Sequence, residues 1–305
     1  MADDRTRMAA LTCVGPDATV APLPGGITNR NYRVTSPAGE VVVRVSDPES
    51  SVLAIDRHVE YLNTEAAAQA GAGPRVVEYL QGQGLLVVAW VQARTFGDDD
   101  VAAHLPRIAA ALRGLHAGPA FAGRFDMFDI QARYLALVRE RGYRLPQGYV
   151  ELLPQVAHLR EVMRQRPEPL VPCHNDLLAA NILDAGDRLW LIDYEYSGMN
   201  EASFELGNVW SEAALPPEAL DELVGAYWGT ATASAVARAR LWALMAKVGW
   251  TLWASIQDAI SPLDFDYWGW GMEKYERAQA ELAGPELAGW LEAVQAVHDP
   301  VNEGP

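Results

Sequence analysis

A short polar segment past the middle of the chain has the residue types and spacing needed for phosphoryl transfer. Residues 174–181 read HNDLLAAN, which places Asp176 five residues before Asn181. At this spacing the aspartate can align an acceptor hydroxyl and take its proton, while the asparagine helps to hold a magnesium ion. One loop would then present a base and a metal ligand to the same phosphoryl group. Three matching positions can arise by chance, so the interpretation depends on further elements.

A second acidic residue follows this segment closely. Asp193 comes after the hydrophobic pair Leu191-Ile192, at the end of a strand-like stretch with a hairpin turn predicted at Gly186-Asp187. Magnesium that bridges nucleotide phosphates prefers hard oxygen ligands, which a carboxylate supplies. We therefore predict Asn181 and Asp193 as the magnesium ligands. The alternative for Asp193 is a turn residue at a strand end.

Upstream residues could bind the nucleotide that carries the phosphate. A glycine-containing turn over residues 25–32 lies between two strand-like segments and offers free backbone amides, although paired glycines are often just a hairpin. A cation in the third strand-like segment could contact the phosphates, and an acidic residue on the following helix could pair with it. The predicted nucleotide-binding residues of these elements are Gly25, Gly26, Thr28, Asn29, Arg44 and Glu60.

The elements that must position these residues differ along the chain. From Thr19 to about Trp90 the chain has short strand-like runs of β-branched or aromatic residues, interrupted by one helix predicted over Val52 to Ala70. In this helix Ile55, Val59, Leu62 and Ala66 follow the helical period. The remainder is mainly helical, which makes the predicted fold class α+β. Further helices are predicted over residues 101–116, 132–141, 149–165, 218–228, 234–258 and 275–297, with the hairpin over 183–193 between the third and fourth.

These pieces occur in a fixed order that resembles a known family. The segments GGITN (25–29), CHNDL (173–177) and IDYEYS (192–197), followed by FELGN (204–208), are similar to the choline/ethanolamine kinase branch of the aminoglycoside phosphotransferase-like superfamily. The resemblance runs from about Gly25 to Trp270. It implies a two-lobed protein-kinase-like fold, with a small β-rich N-lobe (1–92) that binds nucleotide and a larger helical C-lobe (93–305) that carries the catalytic loop and the substrate pocket.

The same resemblance implies ATP and Mg²⁺ as cofactors and a small cationic amino alcohol as substrate. A hinge is expected near residues 89–92, where Ala89 and Val91 would contact the nucleotide. A quaternary ammonium group is bound by aromatic faces and a nearby carboxylate. The residues carried over to the acceptor pocket are Trp250, Trp253 and Trp270 as an aromatic cage, with Glu195, Tyr196 and Glu205 at its mouth.

Choline is the acceptor that we expect. Glu205 departs from the family, which usually has aspartate there, and tryptophans on an apolar helix face are more often core than cage. Ethanolamine, thiamine and aminoglycoside-like antibiotics stay open as acceptors. An inactive nucleotide-binding pseudokinase is the other alternative, although Arg44, Asp176 and Asp193 are all present.

Composition limits the remaining function classes. The chain has 305 residues with a formal net charge of −16, which argues against nucleic acid or an anionic membrane surface as a partner. Its apolar runs are too short to span a bilayer, so we expect a cytoplasmic protein. The two cysteines, Cys13 and Cys173, have no partner motif and predict neither a disulfide nor a zinc site. A homodimer stays open, because no interface signature is visible.

Overall fold

The structure, a computed structural model, describes residues 2–24, 29–46, 53 and 55–296. Packing divides the chain into two compact units, Met1–Phe125 with Leu170–Asn200, and Asp126–Pro169 with Glu201–Pro305. The mixture of helices and sheets confirms the predicted α+β class. These units are not the same division as the predicted lobes 1–92 and 93–305, which stay a prediction.

An antiparallel sheet forms the first part of the first unit. Its strands are β1 (Thr19–Leu23), β2 (Arg30–Ser36), β3 (Gly39–Val45), β4 (Val76–Leu80) and β5 (Leu85–Ala89), in the order β1-β2-β3-β5-β4. Alternation along β3 explains what each face does. Val43 and Val45 are fully buried in the core on one face, while Val42 and Arg44 project from the other.

A short helix that the sequence did not predict packs on the core face of this sheet. Helix α1 (Ala2–Met8) contributes Met8 to the core. Asp4 accepts hydrogen bonds from the Tyr32 hydroxyl at 2.7 Å and from Arg30 Nε at 2.8 Å, which holds the helix on β2. Seven residues span only two turns, too few for a helical period to be recognised.

Helix α2 (Arg57–Gln69) buries only part of the apolar face that its sequence suggests. It begins at Arg57 because the Asp56 carboxylate accepts from the backbone amides of the two residues after Arg57, at 2.9 and 3.1 Å. Of the predicted face, Ile55 and Ala66 are buried, while Leu62 is 40% exposed. The buried side also carries the polar residues Glu60 and Asn63, because part of this helix faces a polar network.

The rest of the first unit is built from short elements: β6 (Arg94–Thr95), α3 (Asp98–Ala103), α4 (Leu105–His116), β7 (Leu170–Cys173), β8 (Ile182–Asp184), β9 (Leu189–Leu191) and β10 (Gly198–Glu201). The predicted hairpin is confirmed, since β8 pairs antiparallel with β9 and Gly186 has a φ of 90° in the turn. The single helix predicted over 101–116 was wrong. The chain breaks at His104, because Pro106 has no amide hydrogen for a continuing helix and instead begins a new one.

Helices make up the second unit: α5 (Met127–Arg141), α6 (Leu153–Gln165), α7 (Ala202–Glu212), α8 (Pro217–Trp228), α9 (Ala233–Ile260), α10 (Tyr267–Ala283) and α11 (Glu286–Gln295), with a short 3₁₀ turn at Val150–Leu152. Helix α9 is buried on all sides from Ala237 to Gln257, which makes it the centre of this unit.

The single helix predicted over 275–297 was wrong, because Gly284 and Pro285 separate α10 from α11. Helix α7 was not predicted. Among the helices described here, none has the length and apolar character that a membrane span requires.

The contact between α7 and α9 gives a stability prediction. A Cβ atom at Gly207 would lie 2.1 Å from the backbone oxygen of Ala239, so the two helices could not keep their spacing. We expect Gly207→Ala to lower the free energy of unfolding by about 1–3 kcal/mol, as overpacking typically does. Chemical denaturation measures this change.

The matched control is Gly114→Ala in α4, where an added Cβ would meet nothing within 4 Å. There the same substitution should stabilise by about 0.5–1 kcal/mol through helix propensity. Equal effects of the two substitutions would contradict the close approach of α7 to α9.

Candidate active site

The polar loop after β7 is held in place through the His174 ring. His174 is fully buried, and its Nε2 lies 2.7 Å from the backbone oxygen of Ile192 while its Nδ1 lies 3.3 Å from the amide of Asp176. A carbonyl only accepts, so Nε2 carries the proton and Nδ1 accepts from the amide. The ring therefore braces two backbone segments.

Strained backbone marks the two ends of the candidate site. Of the described residues other than glycine, three have a positive φ, and two of them are Asn175 at 68° and Asp193 at 74°. Asn175 holds its conformation by donating to the backbone oxygen of Tyr196 at 3.0 Å and accepting from Asn200 at 2.9 Å. Such conformations persist only where the surroundings enforce them, and they concentrate at functional sites.

Backbone pairing brings Asn181 and Asp193 together. The β8–β9 hairpin returns the chain so that the amide of Ile192 donates to the backbone oxygen of Asn181 at 3.0 Å. The Asn181 side-chain amide donates to the backbone oxygen of Asp176 at 2.8 Å, which orients its carbonyl oxygen oppositely. The two predicted magnesium ligands are therefore neighbours in the fold, although they are twelve residues apart in sequence.

Arg44 lies between two acidic side chains, as the sequence predicted for one of them. It forms ion pairs with Glu60 on α2 and with Asp193, and its side chain is only 11% exposed. Burial alone would lower the pKa of Arg44, but attraction to Asp193, Glu60 and Glu195 outweighs it and the pKa lies above its ordinary value. The guanidinium therefore stays charged wherever the protein is folded.

Asp193 has the opposite electrostatic balance. Burial raises the pKa of its carboxyl above the ordinary value, Arg44 opposes the rise, and the negative charges of Glu195 and Glu60 reinforce it. A divalent cation beside this carboxylate would favour the charged form. The oxygen atoms of Asn181 and Asp193 are the hard donors that magnesium prefers, so the residues present fit a magnesium site.

A second group of buried polar residues adjoins the ion pairs that Arg44 forms with Glu60 and Asp193. Arg57 donates to Glu60 at 2.7 Å and to Glu195 at 3.1 Å. Asn29 donates to Glu195 at 2.8 Å and accepts from the Ser46 hydroxyl at 2.9 Å. Glu195, predicted at the mouth of an acceptor pocket, is therefore held by Arg57 and Asn29.

The side chains of Arg44, Glu60, Asn181 and Asp193 border a cavity of about 460 Å³ that lies wholly within the first unit. This volume is in the range of roughly 300–1,000 Å³ that small-molecule sites usually have. Its wall is mostly apolar and includes Ala89 and Val91, with a polar end formed by Arg44, Glu60, Thr64, Asn181 and Asp193. A cavity with an apolar body and a charged end that carries Arg44 suits a nucleotide.

Some predicted residues do not lie on this wall. Gly25, Gly26 and Thr28 are outside the described residues. Asp176 is half-buried in the loop and is not on the cavity wall, although its backbone holds Asn181.

The residues of the predicted acceptor pocket are divided between the two units. In the first unit, Tyr196 is buried at 6% exposure near the held Glu195. In the second unit, the Trp253 ring packs edge to face against the rings of Trp270 and Tyr267. The ring centres lie 5.4 Å and 5.8 Å apart, respectively. Tryptophan Trp250 on α9 and Glu205 on α7 are almost fully buried.

One cation already contacts this aromatic cluster. Lys274 Nζ lies 4.2 Å from the centre of the Trp270 ring and pairs with Glu212 at 2.6 Å. The face of the Trp270 ring therefore binds a cation that belongs to the protein, the Lys274 ammonium group.

Sequence reasoning missed two residues of the first unit that organise the site. Arg57 stands three residues before Glu60 on α2, a spacing that places both on one side of a helix, and this signal could have identified it. Asn175 lies within the predicted loop, and the tolerance of asparagine for left-handed backbone was the available signal.

Comparison with known proteins identifies the family of this chain. The chain matches the model of the phosphotransferase enzyme family over residues 19–242. A choline/ethanolamine kinase family protein from Mesorhizobium loti has a similar crystal structure, with a TM-score of 0.84, 29% identity, and coverage of 97% of this chain and 99% of that chain.

Curated relatives agree. A probable ethanolamine kinase from Arabidopsis thaliana is 27% identical over 300 residues, covering 82% of this chain and 76% of the relative. Protein LicA from Haemophilus influenzae is 26% identical over 255 residues, covering 77% of this chain and 72% of the relative.

The chain belongs to the phosphotransferase enzyme family. The resemblance found in the sequence is confirmed, and so is the protein-kinase-like fold with a small antiparallel sheet and a larger helical part. It is a small-molecule kinase.

Proposed function

We propose that this protein transfers the γ-phosphate of ATP to the hydroxyl of a small amino alcohol, with choline as the preferred acceptor. The observation that carries the proposal is the convergence of Arg44, Glu60, Asn181 and Asp193 on one cavity wall. Relatives named as choline and ethanolamine kinases support the amino alcohol class of acceptor.

In the proposed complex the nucleotide lies in the cavity of the first unit. Its base would contact the apolar wall with Ala89 and Val91, and its phosphates would lie toward Arg44. Glu60 keeps the guanidinium in place. Gly25, Gly26, Thr28 and Asn29 are proposed to cover the phosphates through their backbone amides.

Asn181 and Asp193 would hold magnesium, which when bound neutralises the charge that develops on the phosphates during transfer. Asp176 would align the acceptor hydroxyl for in-line attack and accept its proton. The attacking oxygen forms a bond to the γ-phosphorus as the bond to the ADP oxygen breaks. The rate then comes from positioning and electrostatics, so no covalent enzyme intermediate is expected.

The experiment that tests this function measures ADP release from ATP with choline, ethanolamine, thiamine and several aminoglycosides as acceptors. We expect release with choline, and more slowly with ethanolamine. Preference for thiamine or an aminoglycoside would reassign the acceptor. Binding of ATP without ADP release on any acceptor would indicate an inactive nucleotide-binding protein.

The acceptor assignment predicts a change in selectivity at Trp250. Trp250, Trp253 and Trp270 are proposed as the cage, with Glu195, Tyr196 and Glu205 at its mouth. Replacing Trp250 by leucine keeps an apolar side chain but removes the aromatic face, which contributes up to about 2 kcal/mol to cation binding. We expect the KM for choline to rise roughly 10- to 30-fold while the KM for ATP stays unchanged.

Steady-state kinetics with both acceptors measure this change. Ethanolamine can donate hydrogen bonds and depends less on aromatic faces, so its KM should rise less. The matched control is Trp228→Leu at the end of α8, where the tryptophan is 40% exposed. If the ratio of the KM values for choline and ethanolamine were unchanged in the Trp250 variant, Trp250 would not belong to the cage.

A further inference from the structure

Arg57 lies at the centre of a buried polar network that the proposed mechanism does not use. One guanidinium nitrogen donates to Glu60 at 2.7 Å and to Glu195 at 3.1 Å. The other donates to the Asn29 side-chain oxygen at 3.0 Å. Arg57 therefore joins the start of α2, the segment before β2 and the segment after Asp193.

The burial and charge of this network show why such a residue is needed. Three carboxylates, from Asp193, Glu60 and Glu195, alternate with the guanidinium groups of Arg44 and Arg57. The side chains of Glu60 and Glu195 are only 2% and 4% exposed. Removing one member of a buried pair leaves the other charge without compensation, so its side chain must move or change protonation.

Glu60 connects the two arginines directly. Its Oε1 pairs with Arg44 and its Oε2 pairs with Arg57, so the two arginines fix the carboxylate from opposite sides. The position of the Arg44 guanidinium at the polar end of the cavity therefore depends on Arg57. The same arginine also holds the Asn29 side chain, which donates to Glu195.

We infer that Arg57 is a positioning residue for nucleotide binding, and this inference rests on the proposed function. It orients Glu60, and through it Arg44, toward the nucleotide phosphates, and it joins Asn29 to Glu195. It acts through these side chains and makes no contact with the reacting atoms.

The test is Arg57→Met, which keeps the length of the side chain and removes its charge and donors. We expect the KM for ATP to rise about 10- to 100-fold, as loss of a residue that orients ligand-binding groups usually does. The KM for the acceptor should rise less, because Glu195 keeps its hydrogen bond from Asn29. Titration calorimetry with ATP should show the same loss of affinity. Arg57→Lys should recover part of it, because an ammonium group can pair with Glu60 but cannot reach three partners in the geometry of a guanidinium.

A control variant separates this effect from loss of an arginine in general. Arg94 pairs with Asp100 at 2.6 Å on the surface, where its side chain is 57% exposed. Arg94→Met should leave the KM for ATP within about twofold, because exposed ion pairs contribute little.

Three outcomes distinguish the possibilities. Non-additive losses in Arg57→Met, Glu60→Gln and the double variant would support action through Glu60. A lower melting temperature with an unchanged KM for ATP would assign Arg57 to folding alone and overturn the inference. If the wild-type protein released no ADP with any acceptor, the proposed function would fail, while calorimetry would still decide whether Arg57 positions the nucleotide site.

Discussion

Replacing Asp176 by asparagine is expected to remove most turnover while leaving nucleotide affinity nearly unchanged. The substitution keeps the size of the side chain but removes the charge that would align the acceptor hydroxyl and take its proton. A positioned general base contributes about 10²- to 10⁴-fold to a rate, so kcat should fall by that factor. Asp176 is not on the cavity wall, and for this reason ATP binding should persist.

ADP release measures the first expectation and titration calorimetry with ATP measures the second. Asp187→Asn is the matched control, because Asp187 is exposed in the turn of the β8–β9 hairpin and the chemical change is the same. Wild-type turnover in the Asp176 variant would refute the catalytic assignment. Loss of ATP affinity together with turnover would move Asp176 to the nucleotide site.

Asp193→Asn is the second substitution with a large expected effect. An amide oxygen is a weaker ligand than a carboxylate, and electrostatic stabilisation by a bound metal is worth several kcal/mol. At about 1.4 kcal/mol for each factor of ten, turnover should fall at least about 100-fold. The magnesium concentration needed for half-maximal rate should rise.

The folding stability of this variant should change little or increase. Asp193 is a buried carboxylate beside Arg44, and its burial disfavours the charged form in the metal-free protein. Arg44 keeps its ion pair with Glu60 in the variant. Thermal unfolding without nucleotide tests this point. A large drop in melting temperature, with an unchanged magnesium requirement, would show that Asp193 is structural rather than a metal ligand.

Local sequence signals were sufficient where the structure depends on neighbouring residues. The alternation of β3, which sends Val43 to the core and Arg44 to the other face, follows from the two-residue repeat of any strand. The hairpin was visible from Gly186-Asp187, and it determines that Asp193 returns beside Asn181. The Arg44–Glu60 pair was also predicted, because both elements were recognised.

Helix boundaries and helix faces were less accessible. Pro106 and Pro285 lie next to breaks that the periodic pattern passed over. Helix α7 was missed although its sequence was recognised as a family segment. On α2 the predicted apolar face is only partly buried, since Leu62 is 40% exposed and the polar Glu60 and Asn63 are buried beside Ala66.

The sequence by itself determined the sheet-rich first part, the mainly helical remainder and the family, and it predicted phosphoryl transfer for the loop 174–181. These follow from the chemistry and spacing of residues that lie close together in the chain. Only the tertiary structure decided that Arg57, Asn29 and Glu195 form one buried network with Glu60. Residues from three separate segments must meet before their charges can compensate one another, and no pattern within a single segment carries that information.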